Sequence, residues 1–91
     1  MEISLTMELL WQLVGSVGAL LTMFGFVPQI LKIHRTKSVE DVSLPMLIQF
    51  AVGVFLWAAY GLHREDPIIV ISNLVSFASL FMAIVLYFRY R

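Results

Sequence analysis

Residues 44–88 read LPMLIQFAVGVFLWAAYGLHREDPIIVISNLVSFASLFMAIVLYF. Two apolar runs, residues 44–62 and 67–88, each come close to the ~20 residues a helix needs to cross ~30 Å of hydrocarbon. Only the four polar residues 63–66 separate them, and a connection that short makes the runs an antiparallel hairpin. Each run opens with helix punctuation. Ser43 stands ahead of Pro45 and Asp66 ahead of Pro67, so a capping side chain precedes a proline placed in the first turn, where its missing N–H costs nothing.

Working outward, a third apolar run occupies residues 9–31, and residues 32–43 join it to the hairpin through a polar stretch of mixed charge. None of the three runs contains an ionised side chain. The chain has 91 residues, 60% hydrophobic and 13% charged, against roughly 45–50% and about 25% in a soluble domain. Small domains bury the smallest share of their surface, so lipid has to cover the excess. The expected fold is an all-α membrane protein, one domain over residues 1–91 forming a bundle of three transmembrane helices. Three rods enclose no aqueous path, which implies an oligomer.

Several function classes drop out. Net charge is zero and no basic run marks a nucleic-acid or anionic surface. There is no cysteine, and neither metal-ligand spacing, a glycine-rich phosphate loop nor a nucleophile beside a base. No enzyme activity, cofactor or metal is expected. Residues 1–8 carry Glu2 and Glu8 but no Lys or Arg, the wrong sign for a signal peptide, so the first run is expected to be retained. Lys32, Arg35, Lys37, Arg89 and Arg91 fall on one side of the spans and only Arg64 on the other. The positive-inside rule then makes the first linker and the C-terminus cytoplasmic and puts the N-terminus and the 63–66 turn outside. Trp11, Tyr87 and Tyr90 sit near span ends, as interfacial aromatics do.

Function has to be sought in the residues lipid would not select: Gln12, Ser16, Thr22, Pro28 and Gln29 in the first run, Gln49 and Trp57 in the second, Ser72, Asn73, Ser76 and Ser79 in the third. Pro28 removes an N–H and crowds the Phe24 carbonyl, so the helix is expected to kink there, as a static bend or a hinge, with Gly25 on the same turn. Trp57 lies five residues before Leu62 and Asn73 six after Pro67, which at 1.5 Å per residue sets both ~7–9 Å below the same boundary. An indole face and a carboxamide at one depth suit an uncharged polyhydroxylated ligand; packing by Trp57 and an interhelical hydrogen bond from Asn73 is the plainer alternative. Ser72, Ser76, Ser79 and Ala83, and Gly15 with Ala19, read as close-packing stripes. Tyr60, Arg64 and Asp66 form either a polar lid, with Arg64 and Asp66 pairing, or an anchor, a solvated cation and a helix cap. The lack of intramembrane ionisable groups disfavours a coupled pump and favours passive movement.

The stretch Gly25-Phe26-Val27-Pro28-Gln29-Ile30, followed by Lys32-Ile33-His34-Arg35-Thr36-Lys37-Ser38, resembles the PQ-loop motif. With three spans, this length, and Trp57 and Asn73 in spans two and three, the whole chain resembles the bacterial SemiSWEET sugar transporters of the PQ-loop and SWEET superfamily. The resemblance implies a parallel homodimer of three-helix bundles with a central pathway on the two-fold axis, in the inner (cytoplasmic) membrane of a bacterium. It also implies a small neutral mono- or disaccharide as cargo, moved by alternating access as a uniport. Trp57 and Asn73 resemble the sugar-binding pair, Pro28 and Gln29 the hinge motif, Tyr60, Arg64 and Asp66 the outer gate, and Met46 and Phe50 the apolar inner gate. Two alternatives stand beside this: a PQ-loop carrier of another metabolite such as an amino acid, against which the lack of charge near Trp57 argues, and a non-transporting accessory subunit that packs through its serine stripe.

Overall fold

The computed structural model describes residues 2–91. The chain folds into α1 (Glu2–Met23), α2 (Val27–Thr36), α3 (Leu44–His63) and α4 (Pro67–Tyr90). Three stretches of the described residues are long and apolar enough to cross a membrane: Glu2–Thr36, which comprises α1 and α2, then Leu44–His63 and Pro67–Tyr90. The protomer is a slab measuring 56 × 24 × 14 Å between its outer Cα atoms. α4 is its middle, with α3 on one side and α1 and α2 on the other, and α1 does not pack on α3.

The first span differs from a single helix over residues 9–31 bent at Pro28. α1 starts at Glu2, whose carboxylate in the first turn favours a helix N-terminus. The helix is interrupted at residues 24–26, one turn ahead of the proline. Pro28 has no N–H to offer the Phe24 carbonyl, and that carbonyl accepts from Val27 N at 3.2 Å instead, while Gly25 N donates to the Thr22 carbonyl at 3.1 Å. These shorter-range bonds tighten the chain into a turn, after which Ile30 N donates to Phe26 O at 3.0 Å and the α-helical pattern resumes. α2 then runs on to Thr36, so the first five residues of the expected linker are helical. His34 and Arg35 occupy its last turn, where cations complement the helix dipole. Lys37 ends it in the left-handed conformation (φ 56°) with its N–H on Ile33 O, and its ammonium lies 5.0 Å from the centre of the Tyr90 ring.

Both helices of the α3–α4 hairpin carry a side-chain cap at their N-termini. Ser43 Oγ accepts from Met46 N and Asp66 Oδ1 accepts from Ile68 N and Ile69 N, each satisfying orphan donors of a first turn. At the C-terminus of α3, Glu65 adopts a left-handed backbone (φ 53°), Glu65 N donates to Leu62 O and Asp66 N to Gly61 O. This is the paired-bond arrangement of a Schellman cap.

Leu47, Ala51, Leu80 and Ala83 form the core, joined by Phe26, Ile30, Val42, Val54, Phe77 and Ile84. Along α4 the buried seam is Ser72, Ser76, Leu80 and Ala83. Two steps of four residues carry it round to Leu80, and Ser79 is left half-buried at its edge. Ser72 satisfies its hydroxyl on Ile68 O at 2.7 Å. Gly15 is not a close-packing residue: a Cβ built there meets nothing within 4 Å. The tight glycine is Gly61, where an added Cβ lies 2.7 Å from Ile69 Cγ2.

Candidate functional site

The α3 residues that face α4 are Leu47, Ala51, Ala58 and Gly61. Offset by one position runs a second stripe, Met46, Phe50, Gly53, Trp57, Tyr60 and Arg64, spaced alternately by four and three so that it keeps to one helix face. No helix of the protomer covers it, and Trp57 keeps 56% of its surface exposed. The indole stands edge-on to Tyr60, with centroids 5.5 Å apart and an interplanar angle of 90°. An open groove of about 370 Å³ runs past it, lined by Gln49, Phe50, Gly53, Val54 and Trp57. Gly53 keeps that groove deep, since a Cβ there would meet nothing within 4 Å.

Two contacts fix the register between α3 and α4: Gly61 abuts Ile69 and Val70, and the Phe55 ring lies 5.8 Å from that of Phe77. In antiparallel helices this register puts Trp57 level with Asn73. Phe55 and Trp57 are two residues apart, about 200° around the helix, so with Phe55 resting on Phe77 on one flank, Trp57 faces the other. Asn73 is half-buried, and its Nδ2 donates to Ile69 O at 2.8 Å within its own helix. The amide therefore does not bridge two helices of the protomer. Its Oδ1 and the Trp57 indole N–H have no hydrogen-bond partner among the described residues.

At the turn end, Tyr60 and Arg64 are exposed. Arg64 closes α3 with its backbone N–H on Tyr60 O, but its guanidinium does not pair with Asp66 within the protomer; one carboxylate oxygen of Asp66 is committed to capping α4. The ion pair among the described residues is Lys32–Asp41, at 3.9 Å and open to solvent, a geometry worth little. At the basic end Met46 sits in the first turn of α3 and Phe50 one turn on. The Phe50 ring meets Phe26 edge-on, with centroids 5.8 Å apart. Phe26, at the break ahead of Pro28, was not singled out by sequence reasoning; its signal is its position next to the Pro-Gln pair. Gln29 is half-buried and faces a narrow crevice shared with Lys32, Thr36, Ser38 and Asp41.

A three-span helical membrane protein, broken once in its first span and lined along one uncovered face by aromatic and small residues, is the class these features define. The PQ loop repeat family matches residues 10–70. The sugar transporter SemiSWEET of Leptospira biflexa serovar Patoc is 42% identical over 77 residues, covering 85% of this chain and 88% of the relative. A crystal structure of a bacterial homologue of SWEET transporters, 38% identical, overlays with a TM-score of 0.87 over 90% of this chain and 99% of the other. A crystal structure of SemiSWEET in the inward-open conformation, also 38% identical, gives 0.70 over 81% and 80%. The chain belongs to the PQ-loop family, in its SemiSWEET group, and is a multi-pass membrane protein of a transporter family rather than an enzyme.

Proposed function

We propose that the chain carries a small neutral sugar passively and in both directions across the inner membrane of a bacterium. It works as a parallel homodimer whose pathway follows the two-fold axis, with the N-terminus and the 63–66 turn outside and the C-terminus in the cytoplasm. The observation that carries this reading is the uncovered α3 stripe with Trp57 level with Asn73. An indole left half in the open, with clearance made by Gly53 and a carboxamide at its height, is poor design for a lone protomer. Facing a second copy, it lines a chamber. There the indole stacks on the C–H face of a sugar, and Asn73 and the indole N–H pair with its hydroxyls. The SemiSWEET relative named above is a sugar transporter, and one of the two related crystal structures is of SemiSWEET in the inward-open conformation.

In this reading Met46 and Phe50 close the cytoplasmic side, and Tyr60, Arg64 and Asp66 the outer side. Since Asp66 caps α4, Arg64 has to reach the free carboxylate oxygen of the partner subunit or of its own chain in the outward-closed state. Bending at residues 24–26, made possible by Pro28, swings α2 with Gln29, and Phe26 carries that swing to Phe50. With no ionisable group inside the spans, no coupled ion is required. The test is uptake of labelled mono- and disaccharides, with amino acids in the same panel, into vesicles holding the purified protein. Sugar uptake is expected, reduced to the level of empty vesicles by Trp57→Ala or Asn73→Ala at unchanged dimer yield. Undiminished uptake in both variants, or uptake of amino acids alone, overturns the assignment.

A further inference from the structure

A groove larger than the one beside Trp57 lies away from it, between the outer half of α1 and the start of α4. It has a volume of about 560 Å³ and is lined by Glu8, Trp11, Gln12, Gly15, Asp66 and Ile69 among others. The Trp11 indole is 67% exposed. We infer that this groove is a second, outer sugar subsite, where a neutral sugar is held before it descends to Trp57; the inference rests on the transport reading above.

Its composition repeats the inner site. In each, a tryptophan has a glycine one turn to its cytoplasmic side, Trp11 with Gly15 and Trp57 with Gly53, and at both glycines an added Cβ would meet nothing within 4 Å. Each glycine thus leaves open space beside the indole's turn of helix. In each, a side-chain amide stands nearby, Gln12 or Asn73. The outer groove adds carboxylates. Glu8 lies one turn before Gln12 on the same face of α1, and Asp66 keeps one oxygen free of its capping bonds. Carboxylates accept from sugar hydroxyls, and an amide both donates and accepts.

The groove also borders the stripe of α4 that carries Asn73. Asp66, Ile69 and Asn73 are spaced by three and four and share one stripe of α4, so the groove opens on the flank that carries Asn73. Asp66 and Asn73 are seven residues apart, ~10 Å along the helix, which leaves room for a hand-over between the two levels. An outward anchor in the lipid interface would give Trp11 its exposure, but not the three polar side chains that line the same groove.

The chain has two tryptophans, so each site can carry its own reporter. In Trp57→Phe protein in vesicles, neutral mono- and disaccharides are expected to change Trp11 emission saturably and to shield it from acrylamide. Adding Glu8→Gln and Gln12→Ala weakens the half-saturating concentration by about tenfold, as loss of one or two hydrogen bonds requires. The Trp11→Phe protein reports on Trp57 in parallel. Sugars that move Trp57 emission but leave Trp11 emission and shielding unchanged overturn the outer subsite and leave the transport reading standing. A Trp11 response that survives loss of Glu8 and Gln12 undiminished also overturns it, because the signal then comes from helix movement. Silence of both tryptophans to every sugar overturns both readings.

Discussion

Replacing Gly61 by alanine adds one carbon at the closest approach of α3 and α4. That Cβ would lie 2.7 Å from Ile69 Cγ2, 3.0 Å from Ile69 Cβ and 3.1 Å from Val70 Cγ2. Ordinary carbon contacts sit at about 3.5–4.0 Å. A rotamer change moves Cγ2, but Ile69 Cβ is fixed to the backbone, so the helices themselves must part by about half an ångström or more. Overpacking of this kind costs about 1–3 kcal/mol, and here it also pulls on the Gly61 carbonyl that accepts from Asp66 N at 2.9 Å. Gly61→Ala is expected to lower the stability of the purified protein in detergent by that amount and to cut uptake, since the same parting displaces Trp57 relative to Asn73.

Gly53→Ala is the matched control, the same chemical change on the same helix with nothing within 4 Å of the new carbon. It gains helix propensity of up to about 1 kcal/mol, so stability is expected to hold or rise. Uptake should nonetheless fall, because the methyl fills space beside Trp57. Unfolding in detergent followed by circular dichroism, with uptake measured on the same preparations, separates the two effects. If Gly61→Ala matches the wild type in both, the close packing that sets the register is refuted, and with it the shared depth of Trp57 and Asn73.

Two further changes follow from the hairpin and the break. Asp66→Ala removes the acceptor of two backbone N–H groups and is expected to cost about 0.5–2 kcal/mol; Asp66→Asn keeps most of that stability, so a loss of uptake in Asp66→Asn at near-native stability would separate gating from capping. Pro28→Ala returns an N–H to the Phe24 carbonyl. It is expected to raise helix content, measurable by circular dichroism, while slowing uptake; a variant as fast as the wild type would remove the hinge from the mechanism.

What could be read from the sequence was whatever a single element decides. Spans announce themselves through run length and the absence of charge, and the caps at Ser43 and Asp66 through a capping side chain next to proline, all within a few residues. Less legible was anything set by one helix acting on another. Gly15 and Gly61 look alike in the sequence, yet one borders open space and the other a β-branched side chain, because only the hairpin brings its two helices into close approach. Residues 32–36 look like a linker because they are charged, but on the last turns of α2 those charges are solvated and favoured by the dipole. Phe26 was lost among seven phenylalanines, since its significance lies in meeting Phe50.

That contact bears on how one bend can work a gate. A proline kink alone frees α2 to move, but free motion selects nothing; it acts on the pathway only if a rigid contact crosses from the moving segment to the lining helix. Phe26 is the last residue before α2 and its ring rests edge-on against Phe50, while α4 holds α3 through Leu47, Ala51, Leu80 and Ala83. A swing about residues 24–26 therefore meets a braced α3. Because the backbone of α3 is held, the movement is expressed in the Phe50 side chain and in the rotation of α2 past it. In this reading Phe26 drives the Phe50 half of the inner gate, and Met46, a flexible apolar side chain one turn away, completes the closure.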